Sequence, residues 1–238
     1  MRKNKSQRKP SVPAPVIVTI DGPAGAGKST IARELAKCLG FAYLDTGAMY
    51  RALTLKALRK KITLTDENAL VNLARQTKID LQTDEKKALK VLLDDCDVTT
   101  DIRTPEVTNN TFYIARAAGV REMMVAWQRA IGQKSSIVVE GRDAGTVIFP
   151  KATRKFYLDA DFEERCRRRI KELKMRGKEI DEKLLKVDLR ERDIKDMTRK
   201  VGPLKKAKDA TLIDTTNLSI EQVVAKLFGI IDKDLQLK

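Results

Sequence analysis

Histidine is absent from this 238-residue chain, and aromatic residues make up only 5% of it. The first absence excludes imidazole acid–base catalysis and histidine metal sites. The second argues against a surface that stacks the bases of single-stranded nucleic acid, because no aromatics are interleaved with the basic clusters. Cysteine is nearly as scarce. Cys38, Cys96 and Cys166 are odd in number, far apart and without metal-ligand spacing, the pattern of inert thiols in a reducing, cytoplasmic setting. No apolar run approaches the ~20 residues of a membrane span, and nothing at the N-terminus reads as a signal peptide.

Positive charge is present in excess: 48 Lys and Arg stand against 33 Asp and Glu, a net +15. Part of it lies in Arg2, Lys3, Lys5, Arg8 and Lys9, followed by Pro10, Pro13 and Pro15. Without apolar periodicity, residues 1–15 read as a disordered basic tail, and any weak, salt-sensitive contact with nucleic acid is confined to it. A second basic block, Arg165 to Lys208, lies inside helical pattern, where it is either solvated surface or the lining of a pocket that neutralises phosphates.

The local pattern with the most chemistry in it is Gly22-Pro23-Ala24-Gly25-Ala26-Gly27-Lys28-Ser29-Thr30. It follows the apolar run Val16 to Ile20 and opens a helical pattern at Ile31, Leu35 and Leu39. Strand, G-x-x-x-x-G-K-S loop and helix in that order make a phosphate loop. Glycines let backbone N–H groups converge on an anion, and the helix N-terminus adds partial positive charge. Lys28 is placed to reach the β- and γ-phosphates of a nucleoside triphosphate, and Ser29 offers a hard oxygen ligand for Mg2+.

Strand and helix signals alternate beyond the loop. Strands are expected at Phe41 to Asp45, Ser136 to Glu140, Lys155 to Asp159 and Thr211 to Asp214, with helices over Met49–Leu58, Val107–Gln133 and from Ile220 onward. Five strands alternating with helices predict an α/β fold with a parallel five-stranded sheet covered on both faces. Residues 62–106 change texture to mixed helix and β-leaning pieces and read as an insert. Ligands of such sheets lie outside the carboxyl ends of the strands, where Asp21, Asp45, Glu140 and Asp159 fall. Glu140, after a hydrophobic strand, resembles a second phosphate-loop signature, an acid that orients Mg2+ or its waters; the alternative for any one of the four is that it caps the next helix.

Arginines supply the second half of the pattern. Arg51 follows Asp45-Thr46-Gly47, and Arg142 stands between Gly141 and Asp143 at a strand end. Arg192, Asp196 and Arg199 are spaced i, i+4 and i+7, one helix face; Arg165, Arg168 and Arg169 form another stripe. A guanidinium pairs bidentately with phosphate and keeps its charge.

Read together, Asp21–Ser29, Leu44–Arg51, Ile102-Arg103-Thr104, Glu140–Val147 and Glu191-Arg192-Asp193 with Asp196 and Arg199 resemble the bacterial-type cytidylate kinases, over about Val16 to Asp232. The resemblance implies the P-loop kinase three-layer fold in a single domain over 16–238, with a monophosphate-binding insert at about 62–106 and a helical lid at about 161–205. It implies Mg2+-dependent transfer of the γ-phosphoryl group of ATP to CMP or dCMP by a cytoplasmic monomer. By motif position Thr46, Tyr50 and Arg51 line the monophosphate pocket. Arg51 and Arg142 grip the acceptor phosphate, Arg121 and Asp143 read the pyrimidine, Arg192 and Arg199 come from the lid, and Asp196 meets the ribose. Lys28, Arg142, Arg192 and Arg199 are the expected catalytic groups. One departure stands out. Phe112 occupies a position where the family usually has a serine that helps to read cytosine, so the base is read by other groups or selectivity for CMP over UMP is looser. The rival readings are a kinase for another small acceptor, such as UMP or shikimate, and an RNA-associated P-loop NTPase. The sequence Thr77-Lys78-Ile79-Asp80 mimics a guanine-reading motif but lies too early, with no D-x-x-G before it.

Overall fold

A computed structural model describes residues 14–83, 89–175, 177 and 179–235. The basic tail expected at 1–15 lies, but for its last two residues, outside them. Five strands, β1 (Ile17–Asp21), β2 (Ala42–Asp45), β6 (Ile137–Gly141), β7 (Arg154–Asp159) and β8 (Thr211–Asp214), form one sheet in the order β2-β6-β1-β7-β8. Every pairing in it is parallel.

The central strands are continuously apolar because both faces are covered. Ile137, Val138 and Val139 of β6 are fully buried and alternate between two cores. Val138 joins Val18, Ile20, Phe156 and Leu158 against Ile31 and Leu35 of α1 (Lys28–Leu39) and Val223, Leu227 and Ile231 of α8 (Ile220–Leu235). Ile137 and Val139 face the other way, onto Met49 and Leu53 of α2 (Thr46–Arg59) and Val120 and Met124 of α5 (Ala118–Gly132). Each such side chain contributes about 1.5–3 kcal/mol of burial, so the alternation pins the register of β6 and with it the position of Glu140.

The insert is built on α2. Beyond α3 (Glu67–Arg75), strands β3 (Ile79–Thr83), β4 (Leu89–Leu93) and β5 (Cys96–Asp97) form an antiparallel sheet. Its face, Val91 and Leu93 with Val98 and Ile102, packs on Ala48, Ala52 and Leu55 of α2. The helix expected over Val107–Gln133 is two: α4 (Pro105–Arg116) and α5, separated by Ala117 in extended conformation (φ −68°, ψ 112°). Beyond the break, Arg121 of α5 is buried. The charged stretch after β7 forms the hairpin α6 (Phe162–Met175) and α7 (Glu182–Thr198).

Gly22 ends β1 where the chain leaves the sheet. A Cβ there would lie 2.0 Å from the Leu158 carbonyl oxygen of β7, and its φ is +150°. Gly40 at the end of α1 also has positive φ, +67°, but open space around it. We expect Gly40→Ala to cost about 1 kcal/mol, the left-handed penalty alone, and Gly22→Ala about 3 kcal/mol or more because strand backbone cannot yield. Urea unfolding of the two variants measures this, and equal costs would refute the steric account.

Candidate functional site

Parallel register gathers the strand ends into one edge: Asp21 lies beside Gly141 and Tyr157, and Asp45 beside Glu140. The loop from Gly22 to Gly27 wraps over this edge, with Gly25 and Gly27 at positive φ, and delivers Lys28 and Ser29 at the N-terminus of α1. Lys28 is buried, and its Nζ donates to the Pro23 carbonyl at 2.6 Å. Burial, then the neighbouring Arg142, lowers its pKa to about 7, with Glu140 opposing.

The four strand-end acids divide by their partners. Asp21 accepts from the Ala144 and Gly145 N–H groups at 2.8 and 2.7 Å, anchoring the turn of residues 144–148. Asp45 caps α2 through the Ala48 N–H at 2.8 Å and pairs with Arg51 Nη2 at 2.8 Å. Asp159 accepts from the Ala160 N–H at 2.9 Å. Glu140 instead faces the loop: its carboxylate accepts from Tyr43 Oη at 2.5 Å, and burial raises its pKa, with Lys28 and the nearby Ser29 hydroxyl opposing. Of the four, Asp45 alone caps the helix that follows it; Asp21 holds a distant turn, Asp159 bonds its own neighbour, and Glu140 lies beside Lys28 and Ser29.

The expected acceptor residues converge on the same edge. Arg142 Nε donates to Asp196 Oδ2 at 2.7 Å. Arg121 is buried, pairs with Asp143 Oδ2 and lies over the Tyr50 ring at 5.6 Å. Arg199 Nη2 reaches Asp143 Oδ1 at 3.2 Å. Burial raises the Asp143 pKa, opposed by Arg121 and Arg199. Arg192 is pulled down to about 10 by burial and then by Arg142. Thr46 Oγ1 donates to the Glu140 carbonyl at 2.7 Å. The Tyr50 hydroxyl and the Nε atoms of Arg51 and Arg121 are buried without a hydrogen-bond partner among the described residues.

Two expectations need correction. Arg199 does not share the helix face of Arg192 and Asp196: α7 ends at Thr198, and Arg199 is extended (φ −61°, ψ 139°), reaching Asp143 by leaving the helix. The stripe Arg165, Arg168 and Arg169 is not one surface. Arg165 is buried under the loop against Asp193, Arg168 holds Glu164 and Thr215, and Arg169 pairs with Glu172. The guanine-motif mimic is structural, since Thr77 Oγ1 donates to the Leu73 carbonyl at 2.6 Å and Lys78 pairs with Asp95. Phe112 stacks edge-on to Tyr113 under Arg116.

Sequence reasoning gave no role to Tyr43, to Gly202 or to Asp193, the last quoted only within the Glu191-Arg192-Asp193 motif. Tyr43 had one available signal, its i+2 relation to Asp45, which places both on one face of β2. Gly202 had none: its Cβ would lie 2.2 Å from Arg121 Nη2 and 2.3 Å from Asp143 Oδ2, a contact made only in three dimensions.

A family model for cytidylate kinase matches residues 18–233. A cytidylate kinase of Desulforamulus reducens is 50% identical over 216 residues, which cover 91% of this chain and 96% of the relative. Cytidylate kinases of a Geobacillus species and of Enterococcus faecalis are 48% and 47% identical over 216 residues, covering 91% of this chain and 96% and 95% of theirs. Among the described residues, no helix is long and apolar enough to cross a membrane.

Burial pushes Asp21 from 3.8 up to about 6, against the pull of the Gly145 and Ala144 N–H groups. A carboxyl raised on folding contributes stability that is complete below its unfolded pKa and lost as pH rises through its folded one. The stability of the wild type relative to Asp21→Asn should therefore fall by about 2–3 kcal/mol between pH ~4 and ~7. Urea titrations across that range measure it, and a constant difference would exclude burial as the governing influence.

Proposed function

The chain belongs to the cytidylate kinase family, and on that premise we propose how its own residues divide the work. The reaction is transfer of the γ-phosphoryl group of ATP to CMP or dCMP, giving ADP and CDP or dCDP. The observation that supports a two-phosphate site best is electrostatic. Lys28 and Arg192 are both depressed by burial and by Arg142. Buried cations that repel one another are stabilised by anions between them, and donor and acceptor each bring phosphate.

On the donor side, the backbone of Gly22, Pro23, Ala24, Gly25, Ala26 and Gly27, with Lys28, Ser29 and Thr30, holds the ATP phosphates. On the acceptor side, Thr46, Tyr50 and Arg51 line the monophosphate pocket, and Arg51 with Arg142 grips the phosphate. Arg121 and Asp143 read the base, which leaves Phe112 out of the hydrogen bonding. Arg192, Asp196 and Arg199 come from the side of α7, Asp196 toward the ribose. Residues of about 62–106 act as the monophosphate-binding insert and about 161–205 as the lid. One chain supplies both halves, so a monomer in the cytoplasm is sufficient.

The residues beside Lys28 fit Mg2+. The Ser29 hydroxyl, beside Glu140, is a hard oxygen ligand, and Mg2+ characteristically takes few protein ligands alongside phosphates and water. Among the described residues no cluster of three acids or thiols could cage a metal by itself. When bound, the ion neutralises charge on the β- and γ-phosphates. Catalysis by the chain's own groups is then positioning and charge stabilisation. An acceptor phosphate oxygen bonds to Pγ as the bond from Pγ to the β,γ-bridging oxygen breaks. Lys28, Arg142, Arg192 and Arg199 stabilise the charge spread over the transferring oxygens. Closing of the α6–α7 hairpin excludes water, which would otherwise accept the phosphoryl group.

ADP formation measured with CMP, dCMP, UMP, AMP, shikimate, RNA or no acceptor tests the assignment. CMP and dCMP should dominate. RNA-stimulated hydrolysis independent of CMP would overturn the reading, and a preference for UMP would point to Phe112. Lys28→Ala should lower kcat by about 100-fold or more while leaving the urea midpoint near wild type, and Arg142→Ala should lower kcat as much with some loss of stability from the unpaired Asp196. Chelation of Mg2+ by EDTA should abolish turnover, and added Mg2+ should restore it.

A further inference from the structure

Ala24, at the crown of the phosphate loop, is held on every side by α6 and α7. Its N–H donates to Asp193 Oδ1 at 3.2 Å, and its carbonyl accepts from Arg165 Nη1 at 3.0 Å. Arg165 and Asp193 pair with each other and close the ring. The Ala24 methyl packs into an apolar pocket of Cys166 and Leu189, flanked by Phe162. Next along the loop, a Cβ on Gly25 would lie 3.0 Å from both the Cβ and the carbonyl oxygen of Arg165, so helix and loop approach to backbone distance. Arg165 spends its remaining Nε on the Ala160 carbonyl at 3.1 Å. Both side chains are buried and committed to backbone or to each other.

We propose that Arg165 and Asp193 are positioning residues that tie the seating of α7, and with it Arg192, to the phosphate loop through the two polar groups of Ala24. Arg192 immediately precedes Asp193, and Asp196 one turn later holds Arg142. A loop fixed around phosphates therefore fixes α7, and α7 in its seat brings Arg192 and Asp196 to the acceptor side. Removing either partner leaves a buried charge uncompensated and frees one end of the Ala24 peptide. The proposal rests on the reading that the loop holds ATP. It adds a reason why occupation of the donor site organises groups that serve the acceptor.

The test uses the full chain and compares wild type with Asp193→Ala, Arg165→Ala and the double variant. Asp193→Asn, which keeps the shape, stands in if the alanine variants do not fold. Hydrogen–deuterium exchange is followed with and without MgATP, alongside steady-state kinetics. In the wild type MgATP should protect both the phosphate loop and α7. In the variants loop protection should remain and α7 protection should be lost. Each single variant should lose about tenfold or more in kcat with KM values within about threefold, and the double variant should be no worse than the poorer single. Undiminished α7 protection, unchanged kcat or additive losses would each overturn the coupling and leave the pair as a brace of the helical hairpin. A wild type lacking CMP-dependent ADP formation would instead overturn the kinase assignment, so the two failures are distinguishable.

Discussion

Burial of charge at the carboxyl edge of the sheet is the constraint around which the molecule is organised. Lys28, Arg121 and Arg199 are taken out of water beside Glu140 and Asp143, in a region where an uncompensated charge costs several kcal/mol. The chain meets the cost with interlocking pairs: Arg51 with Asp45, Arg142 with Asp196, and Asp143 between Arg121 and Arg199. Compensation is incomplete at Lys28 and Arg192, which remain depressed. That residual imbalance favours polyanions. The same pairs keep the unliganded edge from being repelled apart.

The sheet's function in this scheme is metric. Parallel strands with both faces buried allow little slippage, because a shift of one residue along β6 would exchange Val138 with its neighbours between two different cores. Asp45, Glu140 and Asp21 are thereby set side by side. The elements that bring Arg121, Arg192 and Arg199 to this edge are less regular: a helix broken at Ala117, a hairpin of α6 and α7, and a turn at Gly202.

What could be read from the sequence follows how local each signal is. The phosphate loop and the strand-end acids were legible because their chemistry is written within a few residues of a strand, and Arg142 because it directly follows one. The division of labour among the acids was legible only for Glu140, marked by the apolar strand before it; its contact with Tyr43, 97 positions away, was not. Asp193 was similarly opaque, as its partner Ala24 is 169 residues away. Spacing placed Arg192 and Asp196 correctly on one face but carried Arg199 along with them. Periodicity cannot report where a helix stops when no capping residue or glycine marks the end. The helix over Val107–Gln133 was drawn unbroken for the same reason, since Ala117 is a strong helix former that tertiary packing overrides.

Gly202 gives this dependence a genetic dimension. Loops after a helix ordinarily accept substitution freely, since their side chains point to water. Here the loop backbone lies against Arg121 and Asp143, and the Gly202 carbonyl receives Arg199 Nε. Substitutions at this position are therefore screened by the geometry of the ion pairs beneath it. A stretch that looks like connecting chain is in effect the roof of a buried charge cluster, and its freedom to vary is that of the cluster.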